Sequence, residues 1–330
     1  MAVKELTYRE AIREALREEM RRDKRVFLIG IDMHDSIINH VTKGLLKEFG
    51  PERLVQTPIV ESGFTGAALG AALTGMRPVV EIGNGCFIMR AYDQIFNETA
   101  KYRYICGGGN FKLPMVIRCA GHGGLEAGGG PQHAQATESR FIGSPGVQVV
   151  APSTTADAKG LLKTAIRVDH PVLFFEHKML YDLKGPVPAG EEGTLPIGKA
   201  AVLREGRDVT LVAYALMAHR ALDAAKLLAG QGLEADVVDL RTLVPYDKET
   251  LLASVRRTGR AVLIEEGVRT GGVGAELGAF LCEEGFSLLK SPVTRVCAPD
   301  TVLPGSRYGA KLMIPQVADI VSAAKKVCGR

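Results

Sequence analysis

Short apolar runs alternate with amphipathic stretches along most of the chain, the pattern of an α/β protein. Val26-Phe27-Leu28-Ile29, Pro78 to Ile82, Met115 to Arg118, Val147 to Val150 and Val172 to Phe175 read as buried strands. Between them, Tyr8 to about Arg22, Gly44 to Phe49, Met89 to Tyr104 and Ala156 to Arg167 read as helices, with Tyr92, Ile95 and Phe96 on one face of the third. The first helix opens on a capping box, Thr7-Tyr8-Arg9-Glu10. Residues 182–198 hold Pro186, Pro188, Pro196 and four glycines with little periodicity, so they read as a linker between a domain 1–187 and a domain 188–330. The second domain repeats the alternation. Val209 to Ala213, Ala235 to Leu240, Ala261 to Ile264 and Val293 to Val296 read as strands, with helices starting near His219, Lys248 and Val273. No internal repeat of 20–50 residues recurs.

One carboxylate stands out against this pattern. Glu61 lies between the apolar run Pro58-Ile59-Val60 and a run of small residues from Gly63 to Gly75, which reads as a tightly packed helix. It therefore falls at a strand-to-helix junction and is expected to be buried. A buried carboxylate costs several kcal/mol unless it is paired, hydrogen-bonded or protonated. The plain alternative is an acid that caps the helix.

Composition narrows the field. The 330 residues carry 41 basic and 37 acidic side chains, mixed along the chain, for a net charge of +4. No basic block interleaved with aromatics suggests a nucleic-acid partner. Arg9 to Arg25 is basic but carries Glu10, Glu14, Glu18 and Glu19 at helical spacing, so it is expected to be a solvated, salt-bridged face. Six scattered cysteines form no C-x-x-C pair, which argues against disulfide and zinc frameworks and fits a reducing compartment. No secretory pattern and no apolar stretch of about 18 residues appears, and structure is expected to begin at once, leaving no room for a transit peptide. These features predict a soluble chain of cytoplasmic type, with no membrane contact and no metal ligands of its own.

Three further segments carry candidate chemistry. Gly128-Gly129-Gly130-Pro131-Gln132-His133-Ala134-Gln135 places a histidine in a glycine-rich turn between two glutamines, where an imidazole can move protons near neutral pH. Phe87 follows a strand and the turn Gly83-Asn84-Gly85, so it can stack on a flat ring or simply fill the core. Gly271-Gly272-Val273-Gly274-Ala275-Glu276 is half a dinucleotide fingerprint without its third glycine, and close helix–strand packing is the expected use.

Taken in order, these segments resemble a known family. Gln56-Thr57-Pro58-Ile59 with Glu61-Ser62-Gly63-Phe64, Arg77-Pro78, Asp93-Gln94-Ile95 with Asn97, Pro131-Gln132-His133-Ala134-Gln135, Ala158 to Lys163, and Asp239-Leu240-Arg241-Thr242-Leu243 carry the resemblance. It is to the beta subunit of the thiamine-diphosphate-dependent first component of 2-oxo acid dehydrogenases, which act on pyruvate, branched-chain 2-oxo acids or acetoin. The likeness implies a pyrimidine-binding parallel-sheet domain followed by a transketolase C-terminal-type domain. It implies that Glu61 shares a proton with the cofactor's pyrimidine ring, that Phe87 stacks on that ring, and that Arg90 belongs to the same cofactor site. His133 would serve acyl transfer. The G-D-G of the family's magnesium–diphosphate site is absent. The resemblance therefore implies an alpha subunit holding Mg2+ and the diphosphate in an α2β2 assembly, and a lipoyl acyltransferase that takes the acyl group. It leaves open a K+ site in the stretch Ala165 to Pro171.

Departures from the family fall near substrate and partner surfaces. Its usual G-E-D is Gly30-Ile31-Asp32 here, so the acid that links paired active sites is missing. Its Q-H-S-Q is Gln132-His133-Ala134-Gln135, and the preceding loop, with His122, Gly124 and Leu125, is about two residues longer. A closing L-E is missing near Tyr308 to Lys311. Two other readings stand beside the first: the C-terminal half of a split transketolase-like enzyme that moves two-carbon units between sugars, and a non-catalytic partner subunit.

Overall fold

The structure, a computed structural model, describes residues 3–188 and 193–330. Two compact units divide the chain without a single cut: one holds residues 1–123 and 141–197, the other 124–140 and 198–330.

The first unit is built on a parallel sheet. Its strands run in the order Gln148–Val150, Val172–His177, Val116–His122, Arg77–Ile82, Val26–Gly30 and Leu54–Gln56, each parallel to its neighbours. Every residue of Val26–Gly30, Arg77–Ile82, Val116–His122 and Val172–His177 is buried, as helix-covered parallel strands require. The chain steps to one side of Val26–Gly30 to make Leu54–Gln56, then crosses back to make Arg77–Ile82. Loops leaving strands on either side of such a reversal frame a crevice at the carboxyl ends of the strands. Gly30 closes against Glu81 at φ 153°, where a Cβ would lie 2.3 Å from the Glu81 carbonyl oxygen.

Three expectations are corrected here. First, the charged helix Tyr8–Arg22 is not a solvated face: Glu18 and Glu19 are buried. The helix packs against Thr155–Arg167, which supplies the partners. Lys159 Nζ lies 3.1 Å from Glu14 and 2.8 Å from Glu18, Lys163 Nζ 2.5 Å from Glu18, and Arg167 2.7 Å from Glu19. Second, part of the expected linker is ordered: Lys184–Pro188 pairs antiparallel with Val3–Thr7, an edge where prolines cost no ladder hydrogen bond. Residues 189–192 of that stretch lie outside the described residues. Third, the segment read as one helix, Met89 to Tyr104, is three: a 3-10 turn Gly85–Ala91, a π-helical turn Gln94–Thr99 and an α-helix Ala100–Ile105. Tyr92 and Phe96 still stack, with ring centroids 5.3 Å apart.

The second unit carries a sheet in the order Thr294–Ala298, Ala261–Val268, Val209–Ala213, Ala235–Asp239 and Ala201–Arg204, of which the last alone is antiparallel. Helices Leu216–Ala229 and Val317–Val327 pack on it through Ala218, Ala221, Ile320 and Ala324. Leu125 and Ala134, from the 124–140 excursion, join the same core. No helix among the described residues is long and apolar enough to cross a membrane.

Candidate active site

Glu61 is the first residue of the helix Glu61–Leu73 and is 1% exposed. It does not cap that helix. Val60 holds the cap position without a side-chain hydrogen bond, and neither Glu61 carboxylate oxygen accepts a hydrogen bond from any described residue. Among the described residues its ion-pair partner is Arg90, whose Nε lies 3.3 Å from Oε2 without making a hydrogen bond and whose side chain is 69% exposed. A buried acceptor with both oxygens unfilled is costly in a finished core and suits a site that a ligand completes.

Ile59 and Val60, the end of the apolar run before Glu61, are not buried beside it. These side chains are 75% and 44% exposed, because Val60 N–H bonds back to the Pro58 carbonyl in a tight turn ahead of the helix. Nor is the helix packed all round by its small residues. Phe64, Thr65, Ala68, Leu69 and Ala72 face inward, whereas Gly63, Ala67 and Gly70 lie on the exposed side.

Asn84 sets the position of Phe87. Its side-chain oxygen accepts from Cys86 N–H at 3.2 Å and its carbonyl from Phe87 N–H at 2.9 Å, which starts the 3-10 turn. Phe87 is half-buried, and the turn that carries it packs against the Glu61 helix. Gly85 is pressed onto His122, where a Cβ would come within 2.6 Å of the His122 Cβ. Glu61, Phe87 and Arg90 thus occupy the carboxyl-end loops that flank the reversal of the sheet. His133 belongs to the second unit, on the exposed short helix Gly130–His133.

Sequence reasoning missed a buried ionic cluster beneath these loops. Arg118 bonds Glu176 through Nε at 2.6 Å and Nη2 at 2.8 Å, and pairs with Glu81 through Nη1. Tyr181 donates to Glu176 at 2.9 Å and accepts from Gly121 N–H at 2.9 Å. Burial pushes Glu81 above the ordinary carboxylate range although Arg118 opposes it, and burial with Glu176 holds the Tyr181 proton on. Arg118 stays charged: its two carboxylates outweigh the cost of burial. A signal was present, since Glu81 and Arg118 interrupt runs of apolar strand residues. Ile31, where the family's acid would stand, packs its Cδ1 against the backbone at Gly83.

In the second unit, Gly272 and Gly274 bring the start of the helix Val273–Glu284 onto Glu265, which accepts from Val273 N–H at 2.8 Å and Gly274 N–H at 2.9 Å. The half-fingerprint therefore serves close packing. Burial, opposed by these amides and helped by the charge of Glu138, pushes Glu265 up to about 7. A cavity of about 760 Å3 opens beside the His133 segment, lined by Gln132, Gln135, Arg140, Thr270, Thr301 and Leu303 among others.

A model of the transketolase pyrimidine-binding domain matches residues 4–184, and one of the transketolase C-terminal domain matches residues 198–320. The chain is 44% identical to pyruvate dehydrogenase E1 component subunit beta-2, mitochondrial, of Oryza sativa subsp. japonica, covering 100% of this chain and 88% of that one. It is 42% identical to pyruvate dehydrogenase E1 component subunit beta of Rickettsia felis, over 98% of each. The chain belongs to this family of thiamine-dependent 2-oxo acid dehydrogenase beta subunits. Among solved structures it is similar to a split-gene transketolase described as an inactive beta4 tetramer, with TM-score 0.79, 27% identity and 98% coverage of each chain. A transketolase from Pichia stipitis, 17% identical with TM-score 0.73, shares the fold over 47% of its own length.

For this family the cofactor is thiamine diphosphate, and the residues present fit its aminopyrimidine end. Glu61 offers two unfilled acceptor oxygens, and Phe87 presents a half-buried ring from the adjacent turn. In the stretch Ala165 to Pro171 the carbonyls of Ile166, Arg167 and Val168 accept from the Arg77 guanidinium.

Proposed function

We propose that this chain is the beta subunit of an α2β2 2-oxo acid dehydrogenase first component, acting on pyruvate or a close 2-oxo acid and passing the acyl group to a lipoyl domain. The observation that carries the reading is Glu61, buried and without a hydrogen bond where a pyrimidine nitrogen is expected. When bound, thiamine diphosphate supplies a stabilised carbanion next to the substrate carbonyl. Glu61 holds or shares the proton at the opposite pyrimidine nitrogen, Phe87 stacks on the ring, and Arg90, ion-paired with Glu61, belongs to the same cofactor site. His133 supplies a proton to sulfur during acyl transfer. Among the described residues no group of three or more His, Cys, Asp or Glu is placed to hold a metal, and we assign Mg2+ and the diphosphate to an alpha subunit. Exposed Ile37, Ile38, Ile59, Val60 and Met89, on loops leaving the carboxyl ends of three strands, offer the apolar surface such a partner needs.

The test is to copurify the chain with an alpha subunit and assay a panel of 2-oxo acids and acetoin, with and without a lipoyl domain. Activity on pyruvate that falls by about 10²-fold or more in Glu61→Ala is expected. Full activity in that variant would sink the mechanism. A second reading, half of a split transketolase, draws on the likeness at 27% identity. Turnover of ketose phosphates, with none of 2-oxo acids, would select it.

A further inference from the structure

The segment that carries His133 is an excursion. Residues 124–140 leave the first unit's run of sequence and fold with the second, and within them Gly128, Gly129 and Gly130 take φ of 93°, 113° and 64° in succession. Three consecutive left-handed glycines leave the turn before the Gly130–His133 helix with little stiffness of its own. The direction of an exposed imidazole at the end of such a turn depends on how the turn is anchored.

The anchor on its leading side is Glu126. One carboxylate oxygen accepts from Arg220 Nη2 at 2.5 Å, the other from Gln316 Nε2 at 2.7 Å, and the Glu126 and Arg220 side chains are each 14% exposed. Both donors are fixed in turn. Arg220 sits in the helix Leu216–Ala229 and also donates to the Pro315 carbonyl at 2.5 Å, and Gln316 precedes the helix Val317–Val327 and also donates to the Ile314 carbonyl at 2.7 Å. Around Glu126, Gly124 N–H donates to Glu266 at 2.7 Å and Leu125 is buried in the core. On the trailing side, Ala134 is buried and Tyr214 donates to Glu138 at 2.6 Å. Charge-assisted, two-donor contacts of this kind fix direction as well as distance.

We infer that Glu126 is a positioning residue for His133, bridging Arg220 and Gln316 so that the glycine turn starts from a fixed point. The inference rests on the reading of His133 as the residue of acyl transfer. In that step a C–S bond would form as the lipoyl S–S bond breaks, two electrons passing from the transferred carbon to the disulfide. The released sulfur would take a proton from the imidazole, and the transferred carbon would then part from its carrier as its hydroxyl loses a proton and becomes the thioester carbonyl. Loss of the anchor spoils the aim of that proton and leaves the earlier chemistry intact.

The assembled enzyme with Glu126→Ala, Glu126→Gln and His133→Ala separates the possibilities. Two half-reactions are measured: 2-oxo acid oxidation by ferricyanide, and reductive acylation of a lipoylated domain. Glu126→Ala is expected to lower kcat for acylation about tenfold or more, with ferricyanide turnover within about twofold of the parent. Glu126→Gln, which keeps an acceptor for one donor, is expected to recover part of the loss. Hydrogen exchange is expected to rise in peptides from 124–140 and nowhere else in the second unit. If His133→Ala abolishes acylation but Glu126→Ala does not change it, the positioning role is wrong and the function stands. Should His133→Ala itself leave acylation intact, both fall. Equal loss of both half-reactions in Glu126→Ala, or no recovery in Glu126→Gln, also overturns the inference.

Discussion

At the scale of single residues, Glu61 shows what a sequence can and cannot convey. Its burial at a strand-to-helix junction was legible, because an isolated acid between an apolar run and a small-residue run has few other places to go. Its lack of hydrogen bonds was not, since a capping acid and a ligand-facing acid share the same local pattern. Nor was the exposure of Ile59 and Val60, which are apolar in sequence yet turned outward by the backbone ahead of the helix. The unfilled carboxylate separates stability from activity. Glu61→Gln keeps the side chain's size and breaks no hydrogen bond, so its melting temperature in the cofactor-free enzyme should stay at or above the parent's. The same variant should lose about 10²-fold in 2-oxo acid turnover. A clear drop in melting temperature would show that Glu61 is a structural acid after all. Gly129 supports a second prediction. At φ 113° an added Cβ would meet His133 Cβ at 3.1 Å and the His133 carbonyl at 3.2 Å. Gly129→Ala should therefore lower lipoyl acylation more than ferricyanide turnover, and an equal effect on both assays would argue against a local displacement of His133.

At the scale of elements, most strands and helices were legible because apolar periodicity is a direct record of which face is buried. The failures have a common cause. Periodicity treats every charge as solvent-facing, so the acidic side of Tyr8–Arg22 was read as surface, whereas Thr155–Arg167 meets it with Lys159, Lys163 and Arg167. Nothing local in either helix reveals the match, which exists only once the two are packed. The last helix, Val317–Val327, went unread for a different reason. Its inward residues Ile320, Ala324 and Val327 are correctly spaced, but the residue before it is Gln316, whose side chain reaches Glu126. The buried pairs make a sharp prediction. Lys163→Met leaves Glu18 buried beside one fewer cation and should cost about 3–5 kcal/mol in urea unfolding. Adding Glu18→Gln to that variant should return part of the loss, since it removes the uncompensated charge. An additive double variant would show that the two side chains are not coupled in the folded protein.

At the scale of the whole molecule, the family resemblance announced two successive domains, and the structure adds an exchange that no linear boundary describes: residues 124–140 are spent on the second unit. That exchange arises from long-range contacts, Glu126 with Arg220 and Glu138 with Tyr214, which no window of sequence displays. It also brings Glu138 to bear on Glu265, with a consequence for pH. Burial, with help from Glu138, raises Glu265 from an ordinary 4.5 to about 7 in the folded chain, against the pull of the Val273 and Gly274 amides. Between those values the folded protein holds more protons than the unfolded chain, so this group's contribution to stability falls as pH rises. The contribution is complete below about 4.5 and is lost by the time pH passes 7, an overall change of about 3 kcal/mol at 1.4 kcal/mol per unit. Unfolding free energies of the parent and of Glu265→Gln, measured from pH 4.5 to 8, should therefore diverge steadily, the parent losing stability relative to the variant. Glu265→Gln replaces one of the two oxygens that accept from Val273 and Gly274 with an NH2, which cannot accept, so a constant offset is expected as well, and only the slope of the difference carries the test. A difference that stays flat across the window would mean that Glu265 is ionised throughout, and that the two helix-start amides hold its charge more firmly than burial opposes it.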